Sequence, residues 1–179
     1  TFGRALIKRL LEISELPNET KRIVVFSRGE LMQHHMRSEI GENDRLRYFI
    51  GDVRDRDRLR RAMHGVQTVV HAAALKRIEV GFYNPVEMVK TNIGGAINVI
   101  EAAQDAEVEK VIALSSDKAF QPVSPYGTSK ALADAIFVAA NNITGASGTR
   151  FSVARWGNIW RSNGSVVPIW EKILQDGSA

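Results

Sequence analysis

Two short runs carry the side chains best suited to proton chemistry: Ser116-Asp117-Lys118 and Tyr126-Gly-Thr-Ser-Lys130. The first follows an apolar run, Lys110-Val-Ile-Ala-Leu114, that predicts a short buried strand. The second opens an apolar, Ala-rich stretch that predicts a helix to about Asn142. Four residues apart on a helix, Tyr126 and Lys130 share a face and can act together. A phenol beside an ammonium gains a stabilised phenolate, because a nearby positive charge favours the ionised form. A Tyr so placed (reference pKa roughly 10) becomes a usable acid/base for alcohol–ketone chemistry. Taken alone, the same spacing also describes a surface pair on an amphipathic helix. Taken alone, Asp117-Lys118 also describes a solvated ion pair in a loop.

The elements that must position these groups alternate between strand and helix. Ala5–Ile13 has helical period, and Pro17-Asn18 breaks it. Strands are predicted at Arg22–Ser27, Arg47–Val53, Thr68–Ala74, Lys110–Leu114 and Phe151–Arg155. Helices are predicted over Glu30–Ile40, from the charged run after Val53 to His64, from the turn at Tyr83-Asn-Pro85 through Gln104, and over Val166–Leu174. This rhythm implies βαβ units and an α/β fold: a doubly wound parallel sheet, Rossmann-like, with helices on both faces. Ligands of such sheets sit beyond the carboxyl ends of the strands. Those ends carry Ser27-Arg28, Asp52-Val53, Ala72-Ala73-Ala74, Ser116-Asp117-Lys118 and Asn158, so the reactive residues gather on one rim.

Composition narrows the function class. The 179 residues suit one domain with a core, and 44% hydrophobic with 25% charged content is ordinary for a globular protein. There is no cysteine, which removes disulfides, thiolate metal sites and cysteine nucleophiles, and fits a reducing, cytoplasmic setting. The net charge of +4 raises the question of nucleic acid, but the densest basic run, Arg54-Asp-Arg-Asp-Arg-Leu-Arg-Arg61, alternates in sign like a solvated helix start. Aromatic residues, at 7%, are not interleaved with it as stacking platforms, so a nucleic-acid partner is not expected. An anionic small substrate accounts for the basic excess equally well. No run approaches the roughly 20 apolar residues of a membrane span. His71 reads as a strand-end residue, and His34, His35 and His64 lack partners at ligand spacing, so no metal is expected.

At these residues the chain resembles the extended short-chain dehydrogenase/reductase family, and within it the UDP-N-acetylglucosamine 4,6-dehydratases of the soluble, inverting type. The resemblance covers essentially the whole chain. It rests on Ser27-Arg28, Gly51-Asp52-Val53-Arg54-Asp55, His71-Ala-Ala-Ala-Leu-Lys76, Lys90-Thr-Asn92, Ser116-Asp117-Lys118-Ala119, Tyr126-Gly-x-x-Lys130 and Gly157-Asn158. Simple 4-epimerases of this fold lack the Ser/Thr-Asp-Lys triplet, deoxyhexose dehydratases usually carry Asp-Glu there, and membrane-anchored relatives typically have Met in place of Tyr126. The resemblance implies that Tyr126 takes the C4 hydroxyl proton as hydride passes to the nicotinamide, with Lys130 supporting the phenolate and binding the nicotinamide ribose. It implies Lys118 as the base at C5, Asp117 as the acid at the departing C6 hydroxyl, and Ser116 as a hydrogen-bond partner near C4. An acid beside a base suits an elimination, in which one proton leaves and another is supplied.

The same resemblance implies contacts to the dinucleotide from Thr1, Phe2, Gly3, Ser27, Arg28, Asp52, Val53, Ala72, Ala73, Ala74, Lys76 and Thr91, besides Tyr126 and Lys130. It implies substrate contacts from Lys76, Ser116 and Asn158, a UDP-sugar as substrate, and a homo-oligomer in the full-length protein. Gly3 is expected to be the close-packing glycine ending a phosphate loop, with the following helix N-terminus facing the pyrophosphate. NAD-binding members of such folds place a carboxylate at the end of the second strand; here Ser27-Arg28 stands there, which favours NADP over NAD, although relatives often carry Lys in place of Met32. Arg161 and Asn163 stand where relatives tend to have Gly and Arg.

Three readings compete: the dehydratase, a nucleotide-sugar epimerase of the same fold, and a non-catalytic NADP-binding sensor. Residues 1–179 are expected to be a dinucleotide-binding domain incomplete at both ends and inactive by itself, with 155–179 beginning the substrate-binding portion. In a sheet of order 3-2-1-4-5-6 the first strand is central. Without it, Arg22–Ser27 and Thr68–Ala74 are expected either to flank a gap or to close it by a non-native pairing.

Overall fold

The computed structural model describes residues 2–13, 22–145, 148–161 and 165–176. Five strands form two parallel sheets. β1 (Ile23–Ser27) pairs with β2 (Leu46–Ile50), and β4 (Lys110–Leu114) lies between β3 (Thr68–His71) and β5 (Arg150–Ala154). Among the described residues β1 and β3 share no ladder, which is the gap expected from the strand order. All five β1 residues are only half-buried, and Val70 on β3 is similarly accessible.

Helices make every crossover: α2 (Glu30–Ile40) from β1 to β2, α3 (Arg56–Met63) from β2 to β3, and α7 (Pro125–Thr144) from β4 to β5. The β3–β4 crossover contains α4 (Ile78–Tyr83), α5 (Pro85–Met88), a π-helical turn at Val89–Gly94 and α6 (Gly95–Asp105). α1 (Phe2–Glu12) precedes the first sheet and α8 (Val166–Gln175) follows the second. Each major helix follows local rules. Asp55 caps α3 by accepting from the Arg58 N–H, with Asp57 in the first turn and Arg60 and Arg61 in the last, matching the helix dipole. Ser124 caps α7 by accepting from the Gly127 N–H, Pro125 fits the first position, and Gly145 ends it at φ 67°.

The core lies between α3, α6 and α7 and the three-stranded sheet, built on Val99, Val111, Ala133 and Phe137. Phe26 of β1 packs against it, and α3 is tied to α6 by Arg56, which reaches both Glu101 and Asp105 at 2.9 Å. The Asn98 amide donates to the Val53 carbonyl at 2.9 Å, and a Cβ on Gly95 would meet the Val53 side chain at 2.8 Å. The carboxyl end of β2 is therefore seated on the start of α6.

Several boundaries differ from the sequence expectation. β2 ends at Ile50 and β3 at His71, so Gly51–Val53 and Ala72–Ala74 are loop; the β3 ladder stops where His71 meets Ala113. The stretch read as one helix through Gln104 is broken by the π turn, and α4 occupies what read as an approach to a turn. Among the described residues no helix is long and apolar enough to cross a membrane.

His71 closes β3 with its ring 5.6 Å from that of Phe137. Burial, with the nearby Lys130 charge adding to it, lowers its pKa from 6.5 to about 4. The folded state therefore keeps His71 neutral where the unfolded chain already takes a proton. Its contribution is present above the unfolded value and is lost as pH falls from 6.5 toward 4. At about 1.4 kcal/mol per pH unit, the loss over that window is about 3 kcal/mol. Urea unfolding at pH 7 and pH 4.5 should show His71→Leu losing clearly less stability on acidification than the wild type; equal losses would contradict the assignment.

Candidate active site

The strand-end groups assemble around the first turns of α7. Beyond β4, the β4–β5 ladder continues into the loops, with Ser115 N–H donating to Ala154 O at 2.8 Å and Asp117 N–H to Trp156 O at 2.9 Å. Asp117–Ala119 form a single 3₁₀ turn capped by Ser116, whose hydroxyl accepts from the Lys118 N–H and donates to Asp117 Oδ1 at 3.0 Å. Lys118 Nζ is 2.7 Å from Asp117 Oδ2. Hydrogen bonds from Lys118 first, and then from Ser116, hold the Asp117 carboxyl below the usual aspartate range. The pair is thus an ammonium–carboxylate contact at a partly open surface, as the loop ion-pair reading anticipated, and it also lies on the predicted rim.

Tyr126 and Lys130 occupy one face of α7, a turn apart. Tyr126 is half-buried. Lys130 is 6% exposed and its Nζ donates to the Leu114 carbonyl at 2.6 Å. Burial pushes the Lys130 ammonium down, and the Asp134 carboxylate acts in the opposite direction. A Cβ on Gly127 would collide with the Lys118 carbonyl oxygen and stand 3.0 Å from Pro122 Cβ. The glycine after Tyr126 is therefore what lets α7 approach the Ser116–Lys118 turn.

A second set of hydrogen bonds fixes Tyr126 from behind. Asn92, buried in the π turn, accepts from Leu75 N–H at 2.8 Å and donates to Leu75 O and to Ser129 Oγ, both at 2.9 Å. Ser129 Oγ in turn donates to the Tyr126 carbonyl at 2.8 Å. The loop after β3 is thereby pinned to the turn that carries Tyr126. π turns recur at functional sites, where they re-aim side chains. The motif around Lys90-Thr-Asn92 was visible in the sequence, but the partners of Asn92 are 17 and 37 positions away.

The residues expected on the dinucleotide side are spread along the same rim. Arg28 is exposed at the end of β1, and Ser27 Oγ accepts from Gln33 Nε2 at 2.9 Å, so Gln33 orients a hydroxyl that can still donate. A carboxylate does reach this place from the neighbouring strand: Asp52 Oδ2 is 3.6 Å from Arg28 Nη1. Arg54 holds that carboxylate at 2.8 Å and 3.0 Å and keeps its pKa low, leaving Arg28 the looser contact. Ala72, Ala73 and Lys76 are exposed, Ala74 is half-buried, Val53 is buried under Gly95, and Asn158 is exposed beyond β5. Phe2 lies against Trp156 with ring centroids 4.8 Å apart, which brings the first turn of α1 to the rim. Thr1 and Asn163 lie outside the described residues.

Gly3 is exposed, and among the described residues a Cβ there would meet nothing within 4 Å. α1 is held by the Phe2 ring and by Arg4 and Lys8 on Glu39.

The donor set fits a bound dinucleotide: an exposed guanidinium at β1, a helix start at the rim, and a buried Thr91 hydroxyl with no partner among the described residues. Among the described residues no three His, Cys, Asp or Glu side chains come together to hold a metal.

Comparison with known proteins agrees with this geometry. Residues 1–179 match the family described as polysaccharide biosynthesis protein. The chain belongs to that family. It is 52% identical over 178 residues to an inverting UDP-N-acetylglucosamine 4,6-dehydratase of Campylobacter jejuni, covering 99% of this chain and 52% of that protein. It is 42% identical over 177 residues to a UDP-glucose 4-epimerase of Rickettsia felis, covering 98% and 51%. The chain thus spans about half the length of the curated relatives it matches. The X-ray structure of Pen from Bacillus thuringiensis is 38% identical with a TM-score of 0.91, covering 98% of this chain and 54% of that one. A dTDP-glucose 4,6-dehydratase from Streptomyces venezuelae, solved with NAD bound, shares the fold at 23% identity and TM-score 0.81, over 98% and 59% of the two chains. The fold is the parallel, Rossmann-like α/β fold expected from the sequence.

The glycine contact yields a direct test. Gly127→Ala forces either the first turn of α7 or the Asp117–Ala119 turn to move, and such overpacking costs about 1–3 kcal/mol. Urea unfolding should show that loss, whereas wild-type stability would mean the approach is looser than the geometry shows.

Proposed function

We propose that this chain is the dinucleotide-binding part of a nucleotide-sugar 4,6-dehydratase that takes UDP-N-acetylglucosamine, uses NADP, and releases a 4-keto-6-deoxy sugar inverted at C5. The observation that carries the reading is the Ser116–Lys118 turn seated on the first turn of α7, which puts an acid/base pair and Tyr126 on one rim. When bound, the dinucleotide would supply the oxidation at C4 and the return reduction at C6; Phe2, Ser27, Arg28, Asp52, Val53, Ala72 to Ala74, Lys76, Thr91 and Lys130 are the residues that would hold it.

The chain's own groups handle the protons. Tyr126 accepts the C4 hydroxyl proton, and the C4 carbonyl then acidifies C5–H. Lys118 takes the C5 proton and Asp117 protonates the C6 hydroxyl, which leaves as water; a proton returned to C5 restores that C–H and sets its configuration. In the resting contact the proton sits on Lys118 and Asp117 is ionised. Passing it across the 2.7 Å contact gives a neutral amine and a protonated carboxyl without changing the pair's proton count. The elimination removes one proton from C5 and delivers one to the C6 oxygen, so the pair can serve both steps. Ser116, Lys76 and Asn158 are assigned to the sugar.

Further features support the rest of the assignment. A nucleotide-sugar substrate and a dinucleotide support a cytoplasmic setting. Residues 155–176 are assigned to the start of the substrate-binding portion. Exposed Ile97 on α6, with Leu132 and Val138 on α7, suits a homo-oligomer of the intact protein. The 42% identity to 4-epimerases favours a second reading, an epimerase, which would return product of unchanged mass.

Lys118→Ala in the intact protein should lower dehydration by ~100–10,000-fold while dinucleotide binding, followed by titration, stays near wild type. Full turnover by that variant would remove Lys118 from the mechanism. Because Arg54 already engages Asp52, Arg28 is the guanidinium assigned to a 2′-phosphate. Arg28→Ala should weaken NADP more than NAD; equal binding of the two by the wild type would count against the choice.

A further inference from the structure

Asp134 lies one turn beyond Lys130 on the inner face of α7, 6% exposed. Its Oδ2 accepts two hydrogen bonds, from Ser115 Oγ at 2.8 Å and from Arg155 Nε at 2.7 Å. Ser115 immediately follows β4 and leads into the Ser116–Lys118 turn, while Arg155 immediately follows β5 and leads toward Asn158. One buried carboxylate therefore ties the carboxyl ends of two strands to the helix that carries Tyr126 and Lys130. Among the described residues it is also the acidic group that acts on the buried Lys130 ammonium.

We propose that Asp134 is a positioning residue of this site, holding Ser115 and Arg155 at the rim and supplying the counter-charge of Lys130. The inference rests on the reading of Tyr126 and Lys130 as a working pair. A buried ammonium without a carboxylate nearby loses its proton readily, because burial disfavours the charged form. The other groups around Lys130 do not offset this. His71 on β3 is neutral, the Leu114 carbonyl of β4 accepts a hydrogen bond but carries no charge, Asp117 is engaged by Lys118, and Tyr126 shares the α7 face. Arg155 draws on the same Asp134 oxygen as Ser115. Removing Asp134 or removing Arg155 should therefore displace the Lys130 proton equilibrium in opposite directions, which a role in stability alone would not do.

The test is a ¹⁵N NMR titration of the lysine Nζ groups in the intact protein, with the Lys130 signal identified by its absence in Lys130→Arg. In Asp134→Asn the Lys130 midpoint should fall by about one pH unit, about a tenfold change in its proton affinity. Asp134→Glu should recover much of it. In Arg155→Met the midpoint should rise. If sugar turnover is detectable, the alkaline limb of the pH–activity profile should move with the same signs. A midpoint unchanged in both variants, or shifted the same way in both, would overturn the proposal. If Asp134→Asn does not fold, Arg155→Met decides alone: a rise supports the role, and no change or a fall refutes it. The titration needs no turnover, so the expected shifts in a protein without dehydratase activity would sink the functional reading and leave Asp134 where it is.

Discussion

The seating of α7 on the backbone of Lys118 is the contact on which the site depends. α7 leaves its Ser124 cap directly beneath the Asp117–Ala119 turn, and the two backbones come together at Gly127, where no side chain fits. That approach sets how far Tyr126 stands from Asp117 and Lys118. The turn is itself fixed by the β4–β5 ladder running on through Ser115 and Asp117, so a sheet register is converted into the placement of three reactive side chains.

The interior beneath this contact is more polar than a typical helix–sheet junction. Lys130, Asp134, His71, Ser115, Ser129 and Asn92 are all buried within it. Such groups are tolerated only when their hydrogen bonds and charges are matched, since an unpaired buried charge is strongly destabilising. Here Lys130 has the Leu114 carbonyl and the Asp134 charge, Asp134 has Ser115 and Arg155, and Asn92 spends its amide on Leu75 and Ser129. His71 is accommodated by staying neutral. Satisfied buried networks of this kind rigidify what they touch, and what this one touches is the rim.

Much of this was legible in the chain and some was not. The apolar runs ending at Ser27, Ala74 and Leu114 announced parallel strands because a sheet covered on both faces needs continuous hydrophobic sequence. Tyr126 and Lys130 were legible because helical spacing alone puts them on one face. The gap between β1 and β3 followed from strand order. The positioning residues were not legible: Asn92, Ser129, Asp134 and Arg155 act through partners far away in sequence, and nothing local marks Asp134 as different from any acid on a helix. Arg54 hid in a run that read as solvated, yet it engages Asp52 and so changes the meaning of the carboxylate beside Arg28.

If the rim works as one acid/base unit, a single experiment speaks to it most directly: the intact protein incubated with UDP-N-acetylglucosamine in deuterated water, with the product followed by mass and proton NMR. The product should be lighter than the unreacted sugar by one water less the mass gained from one solvent deuterium at C5. A product of unchanged mass altered only in configuration, or no turnover with dinucleotide bound, would contradict it.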